Sequence, residues 1–129
     1  MAGKSQPSHP GAAPPAGSTG AAAPASAAAQ WLPADPQERR GVLLVHGFSG
    51  SPYELHLLAR VLHQRGYHVM VPLLAGHHRT LGELAASRYE HWLASADAAL
   101  HELGARVAAQ AAGPPRLAVV GFSMGGLLT

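Results

Sequence analysis

The residues with the clearest chemical potential are a serine and two glycines near the end of the chain. Residues 121–125 read Gly-Phe-Ser-Met-Gly and directly follow the apolar run 117–120. The serine therefore falls where a strand gives way to a helix. A sharp turn at that place exposes the hydroxyl at the edge of the sheet and favours residues without a Cβ two positions to either side. We predict that Ser123 is a nucleophile and that Gly121 and Gly125 allow its turn to close.

A second group of residues follows the first apolar run of the chain, 41–45. Acyl transfer places negative charge on a carbonyl oxygen, and two backbone N–H groups aimed at that oxygen stabilise it. The N–H of Met124 supplies one donor, and the N–H of Phe48 is placed to supply the other. Gly47 lets the backbone approach closely, and His46 precedes it. Without the serine, these residues would indicate only a turn with a hydrogen-bonded structural histidine.

The elements that must position these groups can be predicted from apolar spacing. Continuous apolar runs predict strands buried on both faces, at 41–45, 67–71 and 117–120. Between them, Ser-x-x-Glu or Thr-x-x-Glu capping boxes predict helix starts, at 51–54, 80–83 and 87–90. The alternation of strand and helix predicts an α/β fold with a parallel sheet and helices on its faces.

Residues 1–30 differ in composition from the rest of the chain. Of these residues, 24 are Ala, Pro, Gly or Ser, and none is Leu, Ile, Val, Phe, Tyr or Trp. Such a stretch buries too little apolar surface to offset its conformational entropy. We predict a disordered tail at 1–30 and one domain at 31–129. Four prolines within the first 15 residues argue against a signal peptide, so a cytoplasmic location is expected.

The overall composition excludes several classes of function. The chain has no Cys, which removes disulfides, Fe–S clusters and thiol catalysis. Nine Lys and Arg against seven Asp and Glu leave a net charge of +2, so no basic surface for nucleic acid is expected. No apolar stretch approaches the roughly 20 residues that a transmembrane helix needs. The nine His lack the His-Glu-x-x-His spacing, and we predict neither a metal nor a cofactor.

The stretch 41–128 resembles the N-terminal half of α/β-hydrolase-fold carboxylesterases and monoacylglycerol lipases. The matching segments come in the family's order, at 41–52, 65–72, 74–77, 89–92 and 120–126. The resemblance implies a partial α/β-hydrolase fold, three layers around a mostly parallel sheet, truncated after the serine turn. It implies that Ser123 is the nucleophile and that the N–H groups of Phe48 and Met124 form the oxyanion hole. It also implies that His46 orients the oxyanion loop and is not the general base.

The chain departs from the family in two places. Residues 76–78 read Gly-His-His, where these families usually read Gly-His-Gly. In this fold the triad acid and base follow the nucleophile, yet residues 124–129 contain no Asp, Glu or His. An upstream triad of His46 and Asp97 with the serine is disfavoured, because Asp97 lies in mid-helix. We therefore expect an incomplete fragment with negligible turnover of its own.

The combined prediction is a serine hydrolase that cleaves carboxylic esters through an acyl-serine intermediate. Its expected partner is a small ester with an apolar acyl group. Two alternatives stay open. The chain could be a non-catalytic fragment or pseudoenzyme that serves as a binding module. It could also belong to an acyltransferase, peptidase or thioesterase, since these enzymes share the same serine turn.

Overall fold

The computed structural model describes residues 27–129, which form one four-stranded sheet with helices on both faces. The strands are β1 (Gln30–Leu32), β2 (Arg40–Val45), β3 (His68–Val71) and β4 (Arg116–Gly121). The α-helices are α1 (His56–Gln64), α2 (Leu81–Ala86) and α3 (Tyr89–Gln110). Two 3₁₀ helices, Pro52–Leu55 and Ser123–Leu127, follow β2 and β4.

The strand order in the sheet is β1-β3-β2-β4. Strand β2 is parallel to both of its neighbours, β3 and β4, and this confirms the predicted parallel sheet. Strand β1, which sequence reasoning missed, pairs antiparallel with β3 through Gln30 opposite Val71. The sheet thus begins at Gln30, one residue before the predicted boundary. The remainder of the predicted tail, 1–26, lies outside the described residues.

The core consists of two apolar clusters, one on each face of the sheet. Leu43 and Val45 of β2 pack with α3, whose contacting residues include Leu103. Val42 and Leu44 of the same strand face the opposite side. There the cluster is completed by Leu55, Ala59, Val69 and Val71. Successive side chains of a strand point to opposite faces, so a continuous apolar run is needed where helices cover both. The result is the expected three layers.

Strand β4 is not buried on both faces, and here the prediction is wrong. Leu117 and Val119 are each 37% exposed, and Val120 is 43% exposed. Because β4 is the last strand in the sheet order, β2 pairs with only one of its sides. The apolar side chains of residues 117–120 show only that burial of this strand would be favourable. Within residues 27–129 no element covers the strand completely.

One of the three predicted capping boxes forms. At the start of α2, the Thr80 hydroxyl accepts a hydrogen bond from the Glu83 N–H, and the Glu83 carboxylate accepts one from the Thr80 N–H. The Ser51–Glu54 box is wrong. The Ser51 hydroxyl accepts instead from the Tyr53 N–H, which starts a 3₁₀ helix before α1.

The predicted Ser87–Glu90 box is also wrong. The Ser87 hydroxyl is engaged elsewhere, because it accepts from the Trp92 indole N–H and donates to the Leu84 carbonyl. Helix α3 begins two residues later, where the Arg88 N–H donates to Nδ1 of His91.

Across residues 27–129, no helix combines the length and the apolar character needed to span a membrane.

Candidate active site

The site is built on the sharp turn that follows β4. The Phe122 N–H donates to the Val45 carbonyl at 2.9 Å, which keeps the turn attached to β2. The next residue, Ser123, has a φ of 55° and an exposed side chain. A residue with a Cβ adopts this left-handed conformation only when its surroundings impose it, and such strain concentrates at functional sites. The hydroxyl of Ser123 is therefore presented to solvent by a constrained backbone.

Two close backbone contacts impose this conformation. A Cβ added at Gly121 would collide with the carbonyl group of Gly125, and a Cβ added at Gly125 would collide with the carbonyl oxygen of Val45. These contacts are backbone on backbone, so no side-chain movement could relieve them. Gly121 and Gly125 thus allow the turn to close, and Gly125 also seats it against the end of β2. The spacing seen in the sequence has this steric cause.

The loop after β2 lies directly beside the serine. A Cβ added at Gly47 would lie 3.3 Å from the Cβ of Ser123 and 3.4 Å from the carbonyl oxygen of Phe122. The Gly50 N–H donates to the Gly47 carbonyl at 3.1 Å and closes a four-residue turn. The structure thus brings the sequence-predicted loop and Ser123 together at the carboxyl edge of two adjacent parallel strands.

The Phe48 N–H, the candidate oxyanion donor, lies in that turn. Within residues 27–129 it donates no hydrogen bond to the protein. Its side chain is 55% exposed. The second candidate donor belongs to Met124, the first residue after the serine, whose side chain packs against the core cluster that α3 covers. A donor that is already free needs no bond broken before it can bind an oxyanion.

His46 is completely buried, and both of its ring nitrogens are used. The Leu74 N–H donates to Nε2 at 3.1 Å, so Nε2 carries no proton, and the Nδ1–H donates to the Gly47 carbonyl at 2.9 Å. Burial lowers the pKa of His46 to about 4. The imidazole is therefore neutral and joins the loop after β2 to the loop after β3. Its one acceptor nitrogen is occupied, which argues against a role as general base.

The departure at residues 76–78 has a backbone explanation. His78 has a φ of 52°, the left-handed region that glycine enters without a Cβ penalty. His77 is fully buried, and its Nδ1–H donates to the Ala75 carbonyl at 3.1 Å. Its Nε2 atom is buried without a hydrogen-bond partner among the described residues. The sequence by itself predicts no role for His77.

Asp97, the alternative triad acid, has its side-chain partner on its own helix. Its carboxylate is exposed on α3 and lies 3.4 Å from Nδ1 of His101, one helical turn later. In the part of the chain that the structure describes, the Ser123 hydroxyl has no hydrogen bond to a histidine. In that same part, no three His, Asp or Glu residues are grouped so that they could hold a metal ion.

A comparison with known protein families matches residues 42–129 to the alpha/beta hydrolase family. The match covers more than half of the chain and includes both the loop at Phe48 and the turn at Ser123. The chain belongs to the alpha/beta hydrolase family. Its described strands and helices have the α/β-hydrolase fold.

Individual relatives of this alpha/beta hydrolase are lipolytic enzymes and esterases. The chain is 36% identical over 89 residues to a thermostable monoacylglycerol lipase of Bacillus sp. (strain H-257). The aligned stretch covers 69% of this chain and 33% of that enzyme. It is 38% identical over 53 residues to a carboxylesterase of Bacillus subtilis (strain 168). That aligned stretch covers 41% of this chain and 22% of that enzyme.

A solved structure from a study of the metagenome-derived lipolytic enzymes LipS and LipT matches with a TM-score of 0.70 at 37% identity. That match covers 81% of this chain and 39% of the other. The chain thus spans about a third of the length of the lipase that it matches.

Proposed function

We propose that this chain carries the nucleophile and the oxyanion hole of a serine ester hydrolase, of carboxylesterase or monoacylglycerol lipase type. The observation that carries the proposal is the exposed, left-handed Ser123 beside Gly47 and a Phe48 N–H that is unpaired within residues 27–129. A binding module needs neither the strained serine nor a free N–H donor next to it. The names of the relatives, a monoacylglycerol lipase and a carboxylesterase, support ester hydrolysis.

The proposed reaction is acyl transfer through an acyl-serine intermediate. The Ser123 Oγ attacks the ester carbonyl as its proton passes to a general base, and the N–H groups of Phe48 and Met124 stabilise the resulting oxyanion. The carbon–oxygen bond to the alcohol then breaks, and the alcohol leaves with a proton. Water attacks the acyl-serine in the same way and releases the carboxylic acid. Losing one oxyanion donor typically costs on the order of a hundredfold or more in rate.

The general base and its acidic partner are proposed to come from outside residues 1–129. His46 has no free acceptor nitrogen, and Asp97 pairs with His101 on the flank of the fold. In α/β hydrolases the acid and the base come after the nucleophile in the chain. We therefore expect negligible turnover from the 129-residue chain alone.

The proposed substrate is a small, uncharged ester with an apolar acyl group. Phe122 directly precedes Ser123 in the chain, and Phe48 follows Gly47 in the loop beside it. The side chain of Phe48 is 55% exposed and that of Phe122 is 57% exposed. The Phe122 ring approaches Gly47, since a Cβ added there would lie 3.7 Å from it. Exposed aromatic rings beside a nucleophile favour an apolar substrate group over a charged one.

The proposal is tested with a fluorophosphonate probe and a short p-nitrophenyl ester on the whole protein that carries this chain. Wild type should be labelled and should hydrolyse the ester. Ser123→Ala should lose the label and lower kcat by on the order of 10⁴-fold or more. Ser26→Ala, at a serine that precedes the residues matching the family, is the control and should behave as wild type.

Three results would each contradict a part of the proposal. Labelling that survives in Ser123→Ala would place the nucleophile elsewhere, and no labelling of wild type would favour a binding module. Turnover by the 129-residue chain that Ser123→Ala removes would show that the base lies within the chain.

A further inference from the structure

Four aromatic rings from three separate segments meet beside the turn at Phe48. The Phe48 ring centroid lies 6.0 Å from that of His77 and 5.7 Å from that of Trp92. His77 in turn lies 5.9 Å from Trp92 and 4.9 Å from His46. All four pairs meet edge to face, at separations where aromatic pairs attract one another. We call the rings of His46, Phe48, His77 and Trp92 the aromatic clamp.

The Phe48 turn has few other contacts that could hold it. One backbone hydrogen bond, from Gly50 to Gly47, closes the turn, and Ser49 within it has a φ of 56°. The Phe48 N–H makes no hydrogen bond with the described residues. An oxyanion donor must nevertheless be held in place before the reaction, because reorientation during the reaction would cost the energy that the donor supplies. The His46 Nδ1–H and the Gly50 N–H both donate to the Gly47 carbonyl, so it is the ring contacts of Phe48 that hold Phe48 itself.

The two outer members of the aromatic clamp are themselves fixed to the scaffold. The Trp92 indole N–H donates to the Ser87 hydroxyl at 2.9 Å, and Trp92 belongs to the long helix α3. His77 donates to the Ala75 carbonyl, and the Ala75 N–H donates to the Ser95 hydroxyl of α3 at 3.1 Å. The clamp thus links the Phe48 turn to the rigid helix across the loop after β3.

His77 meets Phe48 as a ring, edge to face, and not through a hydrogen bond. The Nε2 atom is buried without a partner among the described residues, so a carbon atom in its place would lose no hydrogen bond there. A phenylalanine at this position would keep the edge-to-face contacts and lose only the bond to Ala75. A leucine would fill much of the volume and lose the ring.

We propose that His77 and Trp92 are positioning residues that hold the Phe48 N–H in the orientation needed to bind the oxyanion. The catalytic meaning of this inference rests on the function proposed above, but the mechanical claim does not. The clamp acts on the loop whether or not Ser123 is the nucleophile, so the two ideas can fail separately.

The test is ¹⁵N relaxation of backbone amides in the whole protein that carries this chain. In wild type, the order parameter of the Phe48 N–H should be near the rigid value of about 0.85. In His77→Leu and in Trp92→Leu it should fall below about 0.6, while the Met124 N–H should not change. His77→Phe should retain the wild-type value. Tyr89→Leu, at an exposed aromatic residue one turn before Trp92 on the same helix, is the matched control and should also leave Phe48 unchanged.

The inference is overturned if the Phe48 N–H is mobile in wild type, or stays rigid in a folded Leu variant. If His77→Leu fails to fold, Trp92→Leu decides, because Trp92 is only partly buried. A general loss of packing would change Met124 along with Phe48 and would count against the inference. In the whole protein the Leu variants should lower kcat at least tenfold per labelled serine with little change in KM. Absence of labelling in wild type would contradict the proposed function, but the order parameters of the Phe48 N–H would still test the positioning role.

Discussion

At the scale of single residues, the buried ring of His46 has hydrogen bonds at both of its nitrogens. The ring accepts from one loop and donates to another, and both bonds require the neutral form with its proton on Nδ1. A proton on Nε2 would face the Leu74 N–H, which is also a donor. The residue therefore acts as a neutral connector between the loop that carries Phe48 and the loop that carries His77.

The state of His46 makes stability depend on pH. Its pKa in the folded chain is about 4, against an ordinary value of 6.5. Between these values the unfolded chain binds a proton that the folded chain does not, so the free energy of unfolding falls as the pH falls. His46 should contribute its full stability above about pH 6.5. About 1.4 kcal/mol should be lost per pH unit on the way down, roughly 3 kcal/mol in all near pH 4.

Urea unfolding from about pH 7 to about pH 4.5 measures this loss. His46→Gln removes the titrating group, so its free energy of unfolding should depend less steeply on pH than that of wild type, whatever its absolute stability. Leu57→Gln, at an exposed residue of α1 that does not titrate, serves as the control and should keep the wild-type slope. Equal slopes for wild type and His46→Gln would show that His46 is not the group responsible.

At the scale of the element, close backbone contacts determine the shape of the serine turn, residues 121–125. The carbonyl group of Gly125 occupies the space of a Cβ at Gly121, and the carbonyl oxygen of Val45 occupies that of a Cβ at Gly125. Ser123 sits between them with a left-handed backbone. The strain at one residue is thus maintained by close packing at its two glycine neighbours and by the hydrogen bond from Phe122 to β2.

Substitution of Gly125 should therefore be severe. Gly125→Ala forces a methyl group into the backbone of β2, and we expect a loss of about 3 kcal/mol or more in the free energy of unfolding. Gly82→Ala in α2 is the control. A Cβ there meets nothing closer than 3.8 Å, and alanine favours a helix by about 0.5–1 kcal/mol over glycine. Chemical denaturation of both variants should show shifts of opposite sign, and a Gly125→Ala variant as stable as wild type would refute the steric account.

At the scale of the whole molecule, the described sheet has two edge strands, the three-residue β1 and the six-residue β4, and β4 is the longer. Strand β4 pairs with β2 through residues Arg116–Gly121, and no described strand pairs with its other side. Leu117, Val119 and Val120 are partly exposed there. An unpaired strand edge with apolar side chains is a template for association with another chain.

We expect the 129-residue chain to self-associate through β4. Its weight-average mass in sedimentation equilibrium should rise with concentration. Val120→Lys places a charge on this strand and should weaken association at least tenfold, which corresponds to about 1.4 kcal/mol. Leu81→Lys, at an exposed leucine of α2 away from the sheet, is the control and should associate as wild type does. An unchanged association in Val120→Lys would place the contact elsewhere.

The predictions from sequence succeeded where a group has one available partner and failed where a second partner competes for it. Strands β2, β3 and β4 fall within a residue of their predicted bounds, because a short unbroken apolar run between turn residues is typical of a strand. Thr80 forms its capping box because both partners lie within one helical turn. Ser87 forms no capping box, because its hydroxyl accepts a hydrogen bond from the indole N–H of Trp92, five residues later. A sequence pattern shows which hydrogen bonds are available locally, and not which competitor is closer in space.

The amino-acid order alone establishes the serine turn and its parallel strands. The steric limit between Gly121 and Gly125 acts within one turn of the chain, whereas the limit that the Val45 carbonyl sets on Gly125 needs the packed sheet. Continuous apolar runs between helices predict strands that are covered on both faces. The tertiary fold alone decides the rest. The rings of Phe48, His77 and Trp92 come from segments up to 44 residues apart, and the neutral state of His46 follows from burial against a loop 28 residues away. Such contacts depend on how the layers pack, and no short stretch of chain encodes that packing.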